Sequence, residues 1–186
     1  MKRILFVMCM ALLANILSAQ EYIIEANGIG PVKVGLNYKE LPKQVAGLYS
    51  AINVWENYDE MEDETSYTVL FMIGEDQILY ANASESGEIY GVRGKSKKLH
   101  TKSGAYPDMP AREFIAMPGV KTIFQPKADE LYQVVFEIDG VPVNIERYHY
   151  TAAGERKIQK ALRTKVAPKF TAADFTPEAW IFLGGY

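Results

Sequence analysis

Tyr132, Val134, Phe136 and Ile138 recur at every second position, Asp139-Gly140 follows, and Val141, Val143 and Ile145 resume the alternation. A two-residue period puts one set of side chains on one face of a strand. An Asp-Gly pair between two such runs is the signature of a tight hairpin turn, because both turn positions need positive φ. The chain therefore commits to antiparallel pairing over residues 132–145. The same pattern occurs upstream. Tyr67–Ile73 is rich in β-branched and aromatic residues, Gly74-Glu75-Asp76 turns it into 77–81, and Ser86-Gly87 turns again into 88–92. Three consecutive strands joined by short turns make a meander.

Helical signals are short by comparison. Asn37 and Glu40 form an N-x-x-E variant of a capping box, and Leu41, Val45 and Leu48 share a helical face. The spacing predicts a helix over 38–46, closed by Gly47, with Pro42 tolerated in the first turns. Asp108 is a candidate N-cap for a second short helix that starts near Tyr106 and ends at Pro118-Gly119. Ile158, Leu162 and Val166 predict a third over 154–165. Short strands are expected at 22–25 and 32–34, and a terminal strand at 180–183 closed by two glycines. Tyr49 to Trp55 reads as extended and the acidic run 56–64 as a solvated loop. The order glycine, short helix, closing glycine, strands occurs twice, from Gly35 and from Gly104. The fold class that follows is α+β: antiparallel meander sheets with short packing helices, arranged as two similar tandem units over 20–98 and 99–186 that can form one compact domain.

Residues 1–19 carry a different message. Lys2 and Arg3 precede an apolar run from Ile4 to Leu17, broken by Asn15, and Ser18-Ala19 lead into Gln20. This is the layout of a secretory signal peptide. The run is shorter than the roughly 20 residues that a spanning helix needs, so no permanent membrane span is expected. The expected location is exported, periplasmic or extracellular. The only cysteine, Cys9, lies inside the apolar run, so cleavage after Ala19 leaves no thiol or disulfide chemistry. Gln20 stands where a lipid-modified N-terminus needs cysteine.

The formal charge is −3, and −5 without Lys2 and Arg3. That balance speaks against a nucleic-acid partner, which wants a basic face. The spacing of the 56–64 carboxylates is not that of an EF-hand, and no glycine stands at its bend. Arg93-Gly94-Lys95-Ser96-Lys97-Lys98 is either a charged edge that discourages sheet-to-sheet pairing or a dock for an anionic surface. Gly28-x-Gly30 is followed at once by Pro31 and reads as a turn, not a phosphate loop. The 12 tyrosines suit a binding surface or simply a β-rich chain. Binding candidates are Tyr80, Tyr90, Tyr132, Tyr148, His149 and Tyr150. No serine lies in a nucleophile elbow, and two histidines are few for a three-ligand zinc site. No catalytic, metal or cofactor residue is assigned.

Gly35-Leu36-Asn37-Tyr38-Lys39-Glu40-Leu41 resembles the glycine-apolar-x-x-x-acidic-apolar start of exported helix-plus-meander domains, among them the β-lactamase inhibitor protein family and small outer-membrane assembly lipoproteins. Leu17-Ser18-Ala19-Gln20 resembles export signals common in Bacteroidetes. The stretch from Gly28 to Gly35 and on through Gly47-Leu48-Tyr49 resembles uncharacterised exported proteins of the same group. These resemblances cover about the first third of the chain, with an echo around 99–123. The first implies a sheet face used for protein binding; the last implies no activity.

Two functions are compatible with the sequence. One is a non-enzymatic binding or interaction module of the cell envelope, with another envelope protein or a glycan as partner and contacts on strands around 77–92 and 131–147. The other is a small periplasmic hydrolase using carboxylates and His149, with Glu146 or Asp139 nearby. It requires those groups to converge in one cleft, with carboxyl pairs about 5–5.5 Å or about 6.5–9.5 Å apart.

Overall fold

The Asp139-Gly140 turn forms where the alternation places it. In the computed structural model, which describes residues 23–126 and 132–185, Asp139 and Gly140 have φ of 55° and 80°. The expected signal peptide, with Cys9 and Gln20, lies outside the described residues. The turn joins β9 (Tyr132–Ile138) to β10 (Val141–Asn144). Phe136, Ile138, Val141 and Val143 are buried on one face. The Asp139 carboxylate accepts from the Ser103 N–H and hydroxyl at 2.7 and 2.8 Å, which ties the turn to a neighbouring loop.

The other strands are β1 (Ile24–Glu25), β2 (Gly28–Ile29), β3 (Val32–Lys33), β4 (Ala51–Asp59), β5 (Glu64–Ile73), β6 (Asp76–Ala83), β7 (Ile89–Gly94), β8 (Lys121–Pro126) and β11 (Phe182–Gly185). Strands β4 to β11 form one antiparallel eight-stranded sheet in the order β4-β5-β6-β7-β11-β10-β9-β8. Two meanders therefore meet through their last strands, β7 and β11. The small sheet β1-β2-β3 packs against these two central strands. Between the layers lies one apolar cluster that includes Ile24, Ile29, Phe71, Leu79, Val92, Phe114, Phe136, Phe175 and Leu183.

Hydrogen bonds on the two sides of the seam match pair by pair. Gly35 N–H donates to Ile89 O, and Ile89 N–H to Leu36 O. Across the seam Asp108 N–H donates to Ile181 O, and Ile181 N–H to Met109 O. The bridge Asn37↔Glu88 has its counterpart in Pro110↔Trp180. Each pairing precedes a four-residue helix, α1 (Leu41–Gln44) or α2 (Ala111–Phe114).

Both short helices are briefer than their sequence signals. Asn37 does not cap α1: its Oδ1 takes the Lys39 N–H, and its amide donates to Ser86 O across to the β7 side. Asp108 does not cap α2 either; it stands at φ 60° in a turn, and Pro110 precedes the helix. Asn and Asp tolerate left-handed and Asx-turn geometry, so the same side chains serve turns as readily as caps.

The third helix, α3 (Ala152–Thr164), starts where Thr151 Oγ1 accepts the Gly154 N–H at 3.4 Å. A Cβ on Gly154 would stand 2.4 Å from Asp174 O, so glycine permits the approach of the 171–175 segment despite its poor helix propensity. Asp174 Oδ2 collects three donors: Lys157 Nζ at 2.6 Å, Thr171 N at 2.7 Å and Thr171 Oγ1 at 3.0 Å. Burial pushes this carboxyl up, but the Lys157 ammonium and the Thr171 donors outweigh it and hold it below its ordinary value. A carboxylate depressed on folding stabilises above its unfolded pKa of about 3.9 and loses that contribution as pH falls through the folded value. In urea unfolding, Asp174→Asn is expected to be clearly less stable than the parent near pH 6, with the gap closing towards about pH 2. A gap of the same size at both pH values would contradict the assignment.

Candidate functional site

The acidic run is mostly strand, contrary to the expectation of a loop from 56 to 64. β4 continues through Asp59, and β5 begins at Glu64. They pair without a break from Ala51↔Met72 to Asp59↔Glu64. Partners such as Thr65 and Tyr67 favour a pleated strand, and a fully paired ladder satisfies the backbone of the acidic residues opposite. Only residues 60–63 are turn. There Asp59 Oδ1 accepts the N–H groups of Met61 and Glu62 at 2.9 and 3.3 Å, and Tyr58 OH donates to Asp63 Oδ1 at 2.6 Å.

β4 and the first half of β5 form an arm that outruns the core. Side chains directly opposite across an antiparallel pair share a face. Ile52 and Val54 thus share the core-side face with buried Phe71 and Val69, while Trp55 and Asn57 face the other way beside Thr68 and Ser66. Cover from below reaches the base of the arm: Tyr49 packs on Phe71 and Tyr38 on Tyr67, with ring centroids 5.1 and 5.3 Å apart. Along β4 Val54 is 45% exposed, Trp55 62% and Tyr58 59%, and Met61, at the tip, is 97% exposed. Apolar side chains therefore stand on both faces of one strand and at its turn.

Among the described residues β4 is also an edge, bonded on one side only. Edges are commonly protected by lysine, proline, bulges or short length. The opposite edge, β8, has such features: it is six residues long, opens on Lys121 and ends on Pro126. β4 has nine residues, no Lys, Arg, Pro or Gly, and no bulge against β5. Charge singles out the same region. Residues 44–92 hold ten Asp and Glu and no Lys, Arg or His. Glu56, Glu60, Glu62 and Glu64 have no ion-pair partner among the described residues.

The binding candidates named from sequence do not form one site. Tyr80 lies on β6 opposite Leu70 and Arg93, with Lys95 over its ring. Tyr90 is exposed where the β6–β7 register shifts. Tyr132 opens β9 opposite Pro126. Tyr148 is 66% exposed, whereas Tyr150 is buried against Phe170 and Phe175. Tyr150 serves the core, and burial, with Glu155 adding, pushes its phenol well up. His149 is buried beside Trp180, ring centroids 5.5 Å apart, and its Nε2 has no partner among the described residues.

Of the groups a hydrolase would require, none is bonded to His149 Nε2 among the described residues. Asp139 is engaged by Ser103. The Glu146 carboxylate, as acceptor for the Tyr148 hydroxyl, raises that phenol, with burial and its charge adding. Among the described residues no three His, Cys, Asp or Glu side chains are placed to share a metal ion. An open cavity of about 390 Å³ lies along the end of α3, with Ala161, Val166 and Pro168 inside and Lys157, Lys160 and Lys169 around it. It touches none of the candidate residues.

The sequence reading missed the β4 arm. Two signals could have found it: the two-residue alternation of Ile52, Val54, Glu56 and Tyr58, and the long stretch without a cation. No protein family's profile matches the chain, and no curated protein matches it. Among solved structures it is similar to the uncharacterized protein yfeY from Escherichia coli, with 11% identity and a TM-score of 0.47, over 87% of this chain and 99% of that chain.

Proposed function

We propose that the chain is an exported, non-enzymatic binding module of the cell envelope, and that the β4–β5 arm makes the contact with another protein. The carrying observation is the arm itself. Val54, Trp55, Tyr58 and Met61 stand in water with no role in the core. Aromatic and methionine side chains are enriched where interfaces are dry, and burying each contributes about 1.5–3 kcal/mol. A paired two-stranded platform holds them in fixed register and limits the ordering cost of binding. Export rests on residues 1–19, and among the described residues no helix is long and apolar enough to cross a membrane.

Envelope extract passed over the immobilised protein, beside a Trp55→Ser/Tyr58→Ser/Met61→Ser variant with an unchanged melting temperature, tests the reading. A discrete protein retained by the parent and lost by the variant is the expected result. Identical retained sets would remove the arm from the function. Retention of polysaccharide alone would replace the protein partner by a glycan.

A further inference from the structure

We infer that the partner binds by adding an extended, cationic polypeptide segment to the free edge of β4. The inference rests on the arm reading and goes further, because it specifies the binding mode and the partner's chemistry. Three independent features of β4 converge. The strand is long, regular and unprotected, so a row of backbone N–H and C=O groups faces away from β5 over nine residues. Strand addition uses such a row for affinity and reads side chains at alternate positions for specificity. Apolar groups stand on both faces, Val54 and Tyr58 on one and Trp55 on the other, so an incoming strand meets an anchor whichever way each of its side chains points.

Charge selects the partner. The region from 44 to 92 carries ten acids and no cation, and Glu56, Glu60, Glu62 and Glu64 lie on the arm itself. Fields of one sign accelerate encounter with the opposite sign and disfavour like-charged partners. A second copy of this chain would bring the same acidic region against itself. A segment bearing Lys or Arg near the tip and apolar residues further along complements both the field and the anchors.

The probe is a synthetic ten-residue Lys-Val repeat, acetylated and amidated, compared with its Glu-Val counterpart and with a Lys-Val peptide N-methylated at every residue. The methylated peptide keeps the charge and side chains but cannot donate to a strand edge. Binding to the purified protein is followed by calorimetry and by amide shifts in NMR. The Lys-Val peptide is expected to bind, with the largest shifts along residues 51–59. Binding should weaken with salt, fall at least tenfold on N-methylation and be absent for the Glu-Val peptide. It should also weaken in a Glu60→Lys/Glu62→Lys variant whose melting temperature is unchanged. Equal affinity of the methylated peptide overturns strand addition, as do shifts confined to other strands or no binding at millimolar peptide. Each of these leaves the arm reading to the extract experiment, which depends on side chains and not on the backbone edge. Sedimentation of the protein alone is expected to show a monomer; a dimer lost on Asn53→Pro would assign the edge to a second copy and overturn the cationic partner.

Discussion

Phe136→Ala is expected to remove about 3–5 kcal/mol of folding stability, the range for a large aromatic deleted from a rigid core. Phe136 is fully buried on β9 and meets Phe114, Phe170 and Phe175 at ring-centroid distances of 6.1, 5.4 and 6.2 Å. Interplanar angles of 86°, 66° and 62° put edges against faces, the arrangement the ring quadrupoles favour. The neighbours come from α2 and from the segment after α3, so the site cannot close by moving one element. A cavity would persist and its lining would lose contacts. Against a typical total of about 5–15 kcal/mol this is a large fraction, and the midpoint should fall by roughly 6–20 °C for a domain of this size. Urea and thermal unfolding followed by circular dichroism give the value. A loss below about 1.5 kcal/mol would mean that the three remaining rings repack and that the ring cluster does not lock the second meander to its helices.

How far the sequence foretold the fold depends on the range of each signal. The 132–145 hairpin was legible because alternation and turn chemistry are local and agree: Asp139-Gly140 has the positive φ its residues permit. Strands β5, β6 and β7 were legible for the same reason. α3 was legible within a few residues because Ile158 and Leu162 keep helical spacing within it, although Val166, the third of that series, lies beyond its end. The short helices were overextended because Asn37 and Asp108 carry cap chemistry that the chain uses in turns. What decides there is a distant partner, the 87–89 and 179–181 segments, and local spacing does not report it. Residues 51–55 of β4 were legible as extended, but its acidic half was lost because it lacks the usual strand composition. It is a strand because β5 lies beside it, and it is exposed because the layer beneath ends near Tyr38 and Tyr49. The candidate tyrosines were chosen by residue type, which does not separate Tyr150, packed on two phenylalanines, from Tyr148, two positions away and 66% exposed.

Gly28→Ala is the second substitution with a large expected effect, and its cause is backbone geometry, not lost volume. Gly28 pairs with Glu25 on β1 and with Lys33 on β3, at the centre of the small sheet. Its φ is +153°, a region that L side chains rarely adopt. A Cβ there would stand 2.2 Å from Val32 O and 2.8 Å from Lys33 Cα, so relief requires the β2–β3 pairing to open. That pairing positions Ile29 and Val32, both fully buried in the main cluster. Strained backbone costs about 1–3 kcal/mol and overpacking about 1–3 more, so a loss on the order of 3 kcal/mol or above is expected. Surface substitutions such as Glu60→Lys should stay within about 0.5 kcal/mol. The two large losses should differ in kind. Opening β1–β3 uncovers β7 and β11 at the seam, so Gly28→Ala is expected to speed amide exchange on both central strands. Phe136→Ala should speed it first in β9, α2 and the 170–175 segment. Central-strand exchange unchanged by Gly28→Ala would mean that the small sheet decorates the seam and does not hold it.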